Sequence, residues 1–328
     1  MRAGKERRAA WSKGGRMGIA NLGDSTARGV IPLVGPVYLG HLLLIALATL
    51  MAWALVVVDG RPFAEALRSV LANHAPGGKL VPISHGYRMF LECAGESHAG
   101  PTVILATGRG TGSYHGWALV QSSVSEFARV CSYDPLGAGE SDHVPGSHPV
   151  NEVVENMHDL FHSAQIPRPF ILVGNSLGGV LIRRYQEQYP AEVAGFVFVD
   201  SAHEEMEWRD AAISTSFDPG WSNPQYLQEN GLLPPKQRLA WHDDVPMIVL
   251  ERTELPPCSA FPGLSHAQCE QINRARHGFQ VDLSRRSKYG ELRPITGSGH
   301  LMQQQKPEAV SQAVSDVINE VESNLKPR

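Results

Sequence analysis

The stretch Phe170-Ile171-Leu172-Val173-Gly174-Asn175-Ser176-Leu177-Gly178-Gly179 reads as a short apolar strand running into Gly-x-Ser-x-Gly. Val180, Leu181 and Tyr185 follow at helical spacing, so the order is strand, sharp turn, helix. A serine on such a turn projects its Oγ above the sheet, and the strained backbone around it needs small neighbours, which Gly174 and Gly178 supply. The competing reading is a phosphate-cradling glycine loop. It is weakened here because no lysine follows at the spacing that such a loop uses.

A serine hydroxyl needs a base to become a useful nucleophile. Working outward from Ser176, the fitting histidine is His300 in Gly297-Ser298-Gly299-His300, after an apolar run at Leu292 to Thr296 and before the last helix. Developing negative charge on a carbonyl oxygen needs two preorganised backbone donors. The residue after the serine, Leu177, offers one. Arg109, in the early loop Thr107-Gly108-Arg109-Gly110-Thr111-Gly112, offers the other, although those glycines also suit a simple turn.

Further out, Tyr87 to Cys93, Thr102 to Thr107, Arg129 to Tyr133, Gly195 to Val199 and Pro246 to Leu250 read as strands separated by amphipathic stretches. That alternation predicts an α/β fold with a mostly parallel sheet flanked by helices. The closing helix begins at Pro307 and carries an apolar stripe of Val310, Ala313, Val314, Val317, Ile318 and Val321. Two segments, 201–244 and 252–290, interrupt the alternation with Pro, Ser and charge, and are candidates for a small lid.

Together with Tyr133-Asp134-Pro135-Leu136-Gly137-Ala138-Gly139-Glu140-Ser141-Asp142, these motifs resemble the α/β-hydrolase superfamily, in its small esterase-like and haloperoxidase-like branch. The likeness runs from about Tyr87 to the C-terminus. It implies an acyl-enzyme mechanism on Ser176 with His300 as base, acting on a small ester or related acyl substrate. Asn175 stands where many members have His, and Thr107-Gly108 replaces His-Gly. Both departures blur the substrate class. Acyl transfer and carbon–carbon bond hydrolysis share the same constellation, and a non-catalytic cell-surface binding domain is the alternative of another class.

The resemblance leaves two candidates for the acid that orients the histidine. In most of the superfamily it follows the strand that starts here at Pro246, which points to Glu254. In a smaller set it ends the preceding strand, which points to Asp200, directly after Val199. Asp200 is preferred because it needs no assumption of register, although an aspartate there can also simply cap the following segment.

The 328-residue chain is long enough for one large domain with an appendage, and its net charge of -4 gives no reason to expect a nucleic-acid partner. Residues 1–29 carry seven basic residues against Glu6 and Asp24, and residues 30–58 carry no charge at all. The latter span predicts a single-pass transmembrane signal anchor, with the basic tail cytoplasmic and the catalytic domain extracytoplasmic. A connecting segment at 59–81 would then lead to the catalytic domain at 82–328. A cleaved signal peptide with Ala64-Glu65-Ala66 as its processing site competes, but the apolar run is long for one.

In an exported domain Cys258 and Cys269, which bracket a short polar loop, are expected to pair, whereas Cys93 and Cys131 sit in strand-like runs and read as buried free thiols. No metal or organic cofactor is expected, since the chemistry needs none and no His/Cys cluster shows metal-ligand spacing.

Overall fold

A computed structural model describes residues 77–108, 113–144, 148–206, 244–260 and 263–325. The basic tail, the apolar span at 30–58, Arg109 and residues 207–243 of the first lid candidate lie outside the described residues. Among the described residues, no helix is long and apolar enough to cross a membrane.

Eight strands form one sheet: β1 (Lys79–Pro82), β2 (Arg88–Ala94), β3 (Thr102–Ala106), β4 (Val130–Tyr133), β5 (Phe170–Asn175), β6 (Val193–Val199), β7 (Met247–Arg252) and β8 (Gly290–Ile295). Their spatial order is β1-β2-β4-β3-β5-β6-β7-β8. The β1/β2 and β2/β4 pairs are antiparallel and all later pairs parallel. The described helices include α1 (Ser113–Val124), α2 (Val150–Ser163), α3 (Gly178–Gln188), α4 (His266–Ser284) and α5 (Pro307–Leu325). The α/β reading therefore holds. The short edge strand β1 was not anticipated, because Lys79 and Pro82 interrupt its apolar pattern.

Parallel strands covered on both faces are apolar at nearly every position, and β5 shows how the two faces divide. Phe170 and Leu172 join a core with Val154 of α2, Leu181 of α3 and Leu283 of α4. Ile171 and Val173 face the other way, into a core with Trp117 and Val120 of α1 and Val314 and Val317 of α5.

The structure corrects two expectations. Segment 252–290 is not wholly a loop: α4 fills about half of it, buries Cys269, Ile272, Phe279 and Leu283, and packs on β7 and β8. Its apolar residues are sparse, so the helical stripe was hidden, yet Ser265 and Gln268 form a capping box at its start. Cys93 and Cys131 are not free thiols. They stand opposite one another across the antiparallel β2/β4 pair, with Cα atoms 4.1 Å apart, and are joined by a disulfide. The pairing of Cys258 with Cys269 is as expected.

Candidate active site

The turn after β5 holds Ser176 at φ +53°, a conformation that L-residues adopt at a cost and that tends to mark functional turns. Its neighbours show why glycine is required. A Cβ on Gly178 would lie 2.3 Å from the carbonyl oxygen of Ala106, and one on Gly174 would lie 2.7 Å from the backbone of Gly178. Gly108, at the end of the β3 loop, backs directly onto the serine: a Cβ there would stand 2.8 Å from Ser176 Cβ. The Ser176 carbonyl is held by the amides of Gly179 (3.0 Å) and Ala202 (2.8 Å), so the turn is clamped from both sides. Leu177 follows in α-helical conformation as the first residue leading into α3.

At the carboxyl end of β6, Asp200 adopts φ +40° and turns its carboxylate toward the loop after β8. Its Oδ2 lies 2.5 Å from Nδ1 of His300. Glu254 is exposed, and what it gives the histidine loop is its backbone NH, which donates to Ser298 (2.9 Å). The loop is further pinned by Gly297 NH to Thr253 Oγ1 (3.0 Å) and by Gly299 NH to Gln305 Oε1 (2.7 Å).

Several polar residues with no role legible in the sequence support this geometry. Asn175, almost fully buried, donates from Nδ2 to Val199 O (2.9 Å) and to His300 O (3.2 Å), and accepts from Gln303 (3.2 Å). The residue preceding the serine thus binds the ends of β5 and β6 to the histidine loop. Arg252 at the end of β7 places Nε 3.5 Å from Asp200 Oδ2, with both side chains about nine-tenths buried. Burial pushes the Arg252 guanidinium down, and the Asp200 charge opposes it.

The segment after Asp200 is anchored from below. Ser201 donates to Gly174 O (2.6 Å), and the Ser201 and Ala202 carbonyls accept from Gln280 (2.9 Å) and Arg183 (2.9 Å). Glu204, with no exposed side-chain surface, lies between Arg183 (3.1 Å) and Arg286 (2.6 Å), as ion pairs rather than aligned hydrogen bonds. Burial works to raise the Glu204 carboxyl, but Arg183, then His203 and Arg286, overcome it and hold it at about 2. Arg183 itself is pushed down to about 10 by burial, against the pull of Glu204.

The Asp134 turn is structural. Asp134 Oδ2 accepts from the Glu140 amide (2.9 Å), and Ser141 bridges Asp134 O (2.5 Å) to the Phe90 amide (2.8 Å), which ties β4 to β2. The expectation that no His/Cys cluster shows metal-ligand spacing did not reach one mixed group of ligand-type side chains. His158 and His162, one turn apart on α2, meet Glu192 at the other end of the sheet, and sequence spacing could not reveal that third partner.

The family model for the alpha/beta hydrolase fold matches residues 101–238, the stretch that contains the Ser176 turn and Asp200. This is an α/β-hydrolase-fold chain. Among curated relatives, an uncharacterized protein of Schizosaccharomyces pombe is 28% identical over 156 residues, 40% of this α/β-hydrolase-fold chain and 29% of its own length. RutD of Yersinia enterocolitica, a candidate carbamate hydrolase, is 32% identical over 115 residues, 34% of this chain and 41% of its own. The α/β-hydrolase-fold chain thus spans less than half the length of these relatives. Of the solved structures, a candidate lipase (Lip1) of Acinetobacter baumannii AYE superposes with a TM-score of 0.54 at 16% identity. That match covers 80% of this chain and 97% of the other, and shows the shared fold.

Proposed function

We propose that the chain is a serine hydrolase that cleaves an ester or related acyl substrate through an acyl-enzyme on Ser176. The observation that carries this reading is the convergence of three strand ends: a serine at positive φ after β5, and an aspartate after β6 that engages the histidine after β8 at 2.5 Å. In this reading Asp200 accepts from Nδ1–H of His300, which leaves Nε2 free as the base. His300 takes the Ser176 hydroxyl proton as Oγ attacks the substrate carbonyl, and returns it to the leaving group as the tetrahedral intermediate collapses. Water, activated by the same histidine, then attacks the acyl-enzyme and releases the acid. The amides of Leu177 and Arg109 are the proposed oxyanion donors. A carbamate, the group named for RutD, lies within this chemistry because its carbonyl is attacked in the same way.

A fluorophosphonate probe is expected to label the folded protein at Ser176, with no labelling of Ser176→Ala. Absence of label on folded wild-type protein overturns the reading.

We further propose that residues 30–58 are a retained signal anchor and that the catalytic domain is extracytoplasmic. The uncharged run supports this, and so do two disulfides in the domain that follows, since such links persist in oxidising compartments. The full-length chain is expected to stay with membranes through a high-salt wash and to be digested by protease added from the non-cytoplasmic side. A protein released by salt, or a mature form starting near Leu67, refutes it.

A further inference from the structure

At the amino end of the parallel sheet, away from Ser176, three ligand-type side chains meet. α2 carries His158 and His162 one turn apart, with ring centroids 4.4 Å from each other. Glu192 closes the turn Pro190–Glu192 that leads into β6, and its side chain is 8% exposed. Its Oε1 lies 3.6 Å from Nε2 of His158 and 3.3 Å from Nε2 of His162. One ligand atom from each of the three residues falls within 4.8 Å of the others.

We propose that His158, His162 and Glu192 form a binding site for a zinc-type divalent cation, with solvent completing the coordination. The argument begins with spacing. An ion bound tetrahedrally at about 2.0–2.1 Å from N and O ligands holds those atoms roughly 3.3 Å apart. The two nitrogen-to-oxygen separations already have that size, so small side-chain adjustments admit an ion between them. The donor set, two imidazoles and a carboxylate, suits zinc, cobalt or nickel rather than magnesium or calcium, which prefer all-oxygen shells.

The ligands are also held in place by their neighbours, as they are in metal sites. The Tyr185 hydroxyl donates to Glu192 Oε2 at 2.6 Å, which leaves Oε1 as the oxygen facing the histidines. The His158 ring is stacked on Tyr189, with centroids 3.8 Å apart and planes 8° from parallel. His162 lines an open cleft of about 660 Å³, which gives an ion a path from solvent.

The competitor is Arg168, whose Nη1 lies 2.8 Å from the same Glu192 oxygen. Its side chain is 54% exposed and borders the same cleft, so it can swing into solvent and give up Oε1 to an ion. This makes the proposal distinguishable from a plain ion-pair cluster. In a metal site the arginine opposes the ligand, and its removal tightens binding. In an ion-pair cluster there is no ion for it to oppose. The site lies at the amino ends of β5 and β6, whereas Ser176 and Asp200 follow their carboxyl ends. The bound ion is therefore a brace between α2 and the turn before β6, and the inference stands independently of the hydrolase reading.

The test is titration of the full-length, chelator-treated chain with Co²⁺, followed by displacement with Zn²⁺. Expected are the visible d–d bands of low-coordinate cobalt at one ion per chain, their loss on zinc addition, and a higher Tm with metal. His158→Ala and His162→Ala should each weaken binding by at least about 100-fold. Arg168→Gln should strengthen it, and this variant keeps all three ligands, so it answers the question even where a histidine variant folds poorly. Absence of the bands, cobalt binding that survives the double histidine variant, or binding that weakens in Arg168→Gln overturns the proposal.

Discussion

Asp200→Asn is expected to lower kcat on an activated aryl ester by about 10⁴-fold, while Glu254→Gln stays near wild type. The size follows from the tautomer. In the proposed triad the Asp200 carboxylate accepts from Nδ1–H of His300 across 2.5 Å, whereas an amide in its place can donate to Nδ1 and drive the proton to Nε2, where the base must be free. Glu254 supplies the histidine loop with a backbone NH, which the Gln variant keeps. Single-turnover kinetics on both variants, with circular dichroism to confirm folding, decide the matter. Near-normal turnover in Asp200→Asn together with collapse in Glu254→Gln would exchange the two roles.

The second large effect is on stability. Glu204→Gln removes the charge that two buried arginines share, and stranding a buried charge costs about 3–5 kcal/mol, or roughly 6 to 20 °C in Tm for a domain of this size. Arg183 has no exposed side-chain surface. By contrast, breaking the Arg88–Asp142 pair at the surface should cost far less, because solvent screens both charges. The effect has a pH signature. The folded-state pKa of Glu204 is depressed, so its contribution is complete above the ordinary carboxylate range and is lost as pH falls toward about 2. The stability gap between wild type and Glu204→Gln should therefore close across that acid window. Calorimetric melts from neutral to acid pH measure it, and an unchanged Tm at neutral pH would show that the arginines find other partners.

What was legible in the sequence was local. The Ser176 turn announces itself through glycines whose missing side chains are needed within a few residues, and His300 through its place between a strand and the last helix. Asp200 could be named because a strand end is a local feature. What escaped depends on which strands become neighbours. Cys93 meets Cys131 only because β2 lies against β4 in one particular register, and Arg252 reaches Asp200 only because β7 lies beside β6. Asn175 looked like a departure from a motif and is instead a junction between three chain segments, its partners more than a hundred residues distant in part. Likewise His158 and His162 carried a one-turn spacing, but the carboxylate that gives it meaning arrives 30 residues later.

The cross-strand disulfide has a mechanical consequence. Among the described residues, a pull on the chain from its N-terminal side reaches β1 first, and β1 is an edge strand held by its ladder to β2 and by the burial of Val81. Peeling that continues into β2 runs into the covalent bond at Cys93, and the load passes to β4 and the parallel strands beyond. Reduction of that bond would leave the Ser176 turn unchanged at rest and make its loss under tension far easier.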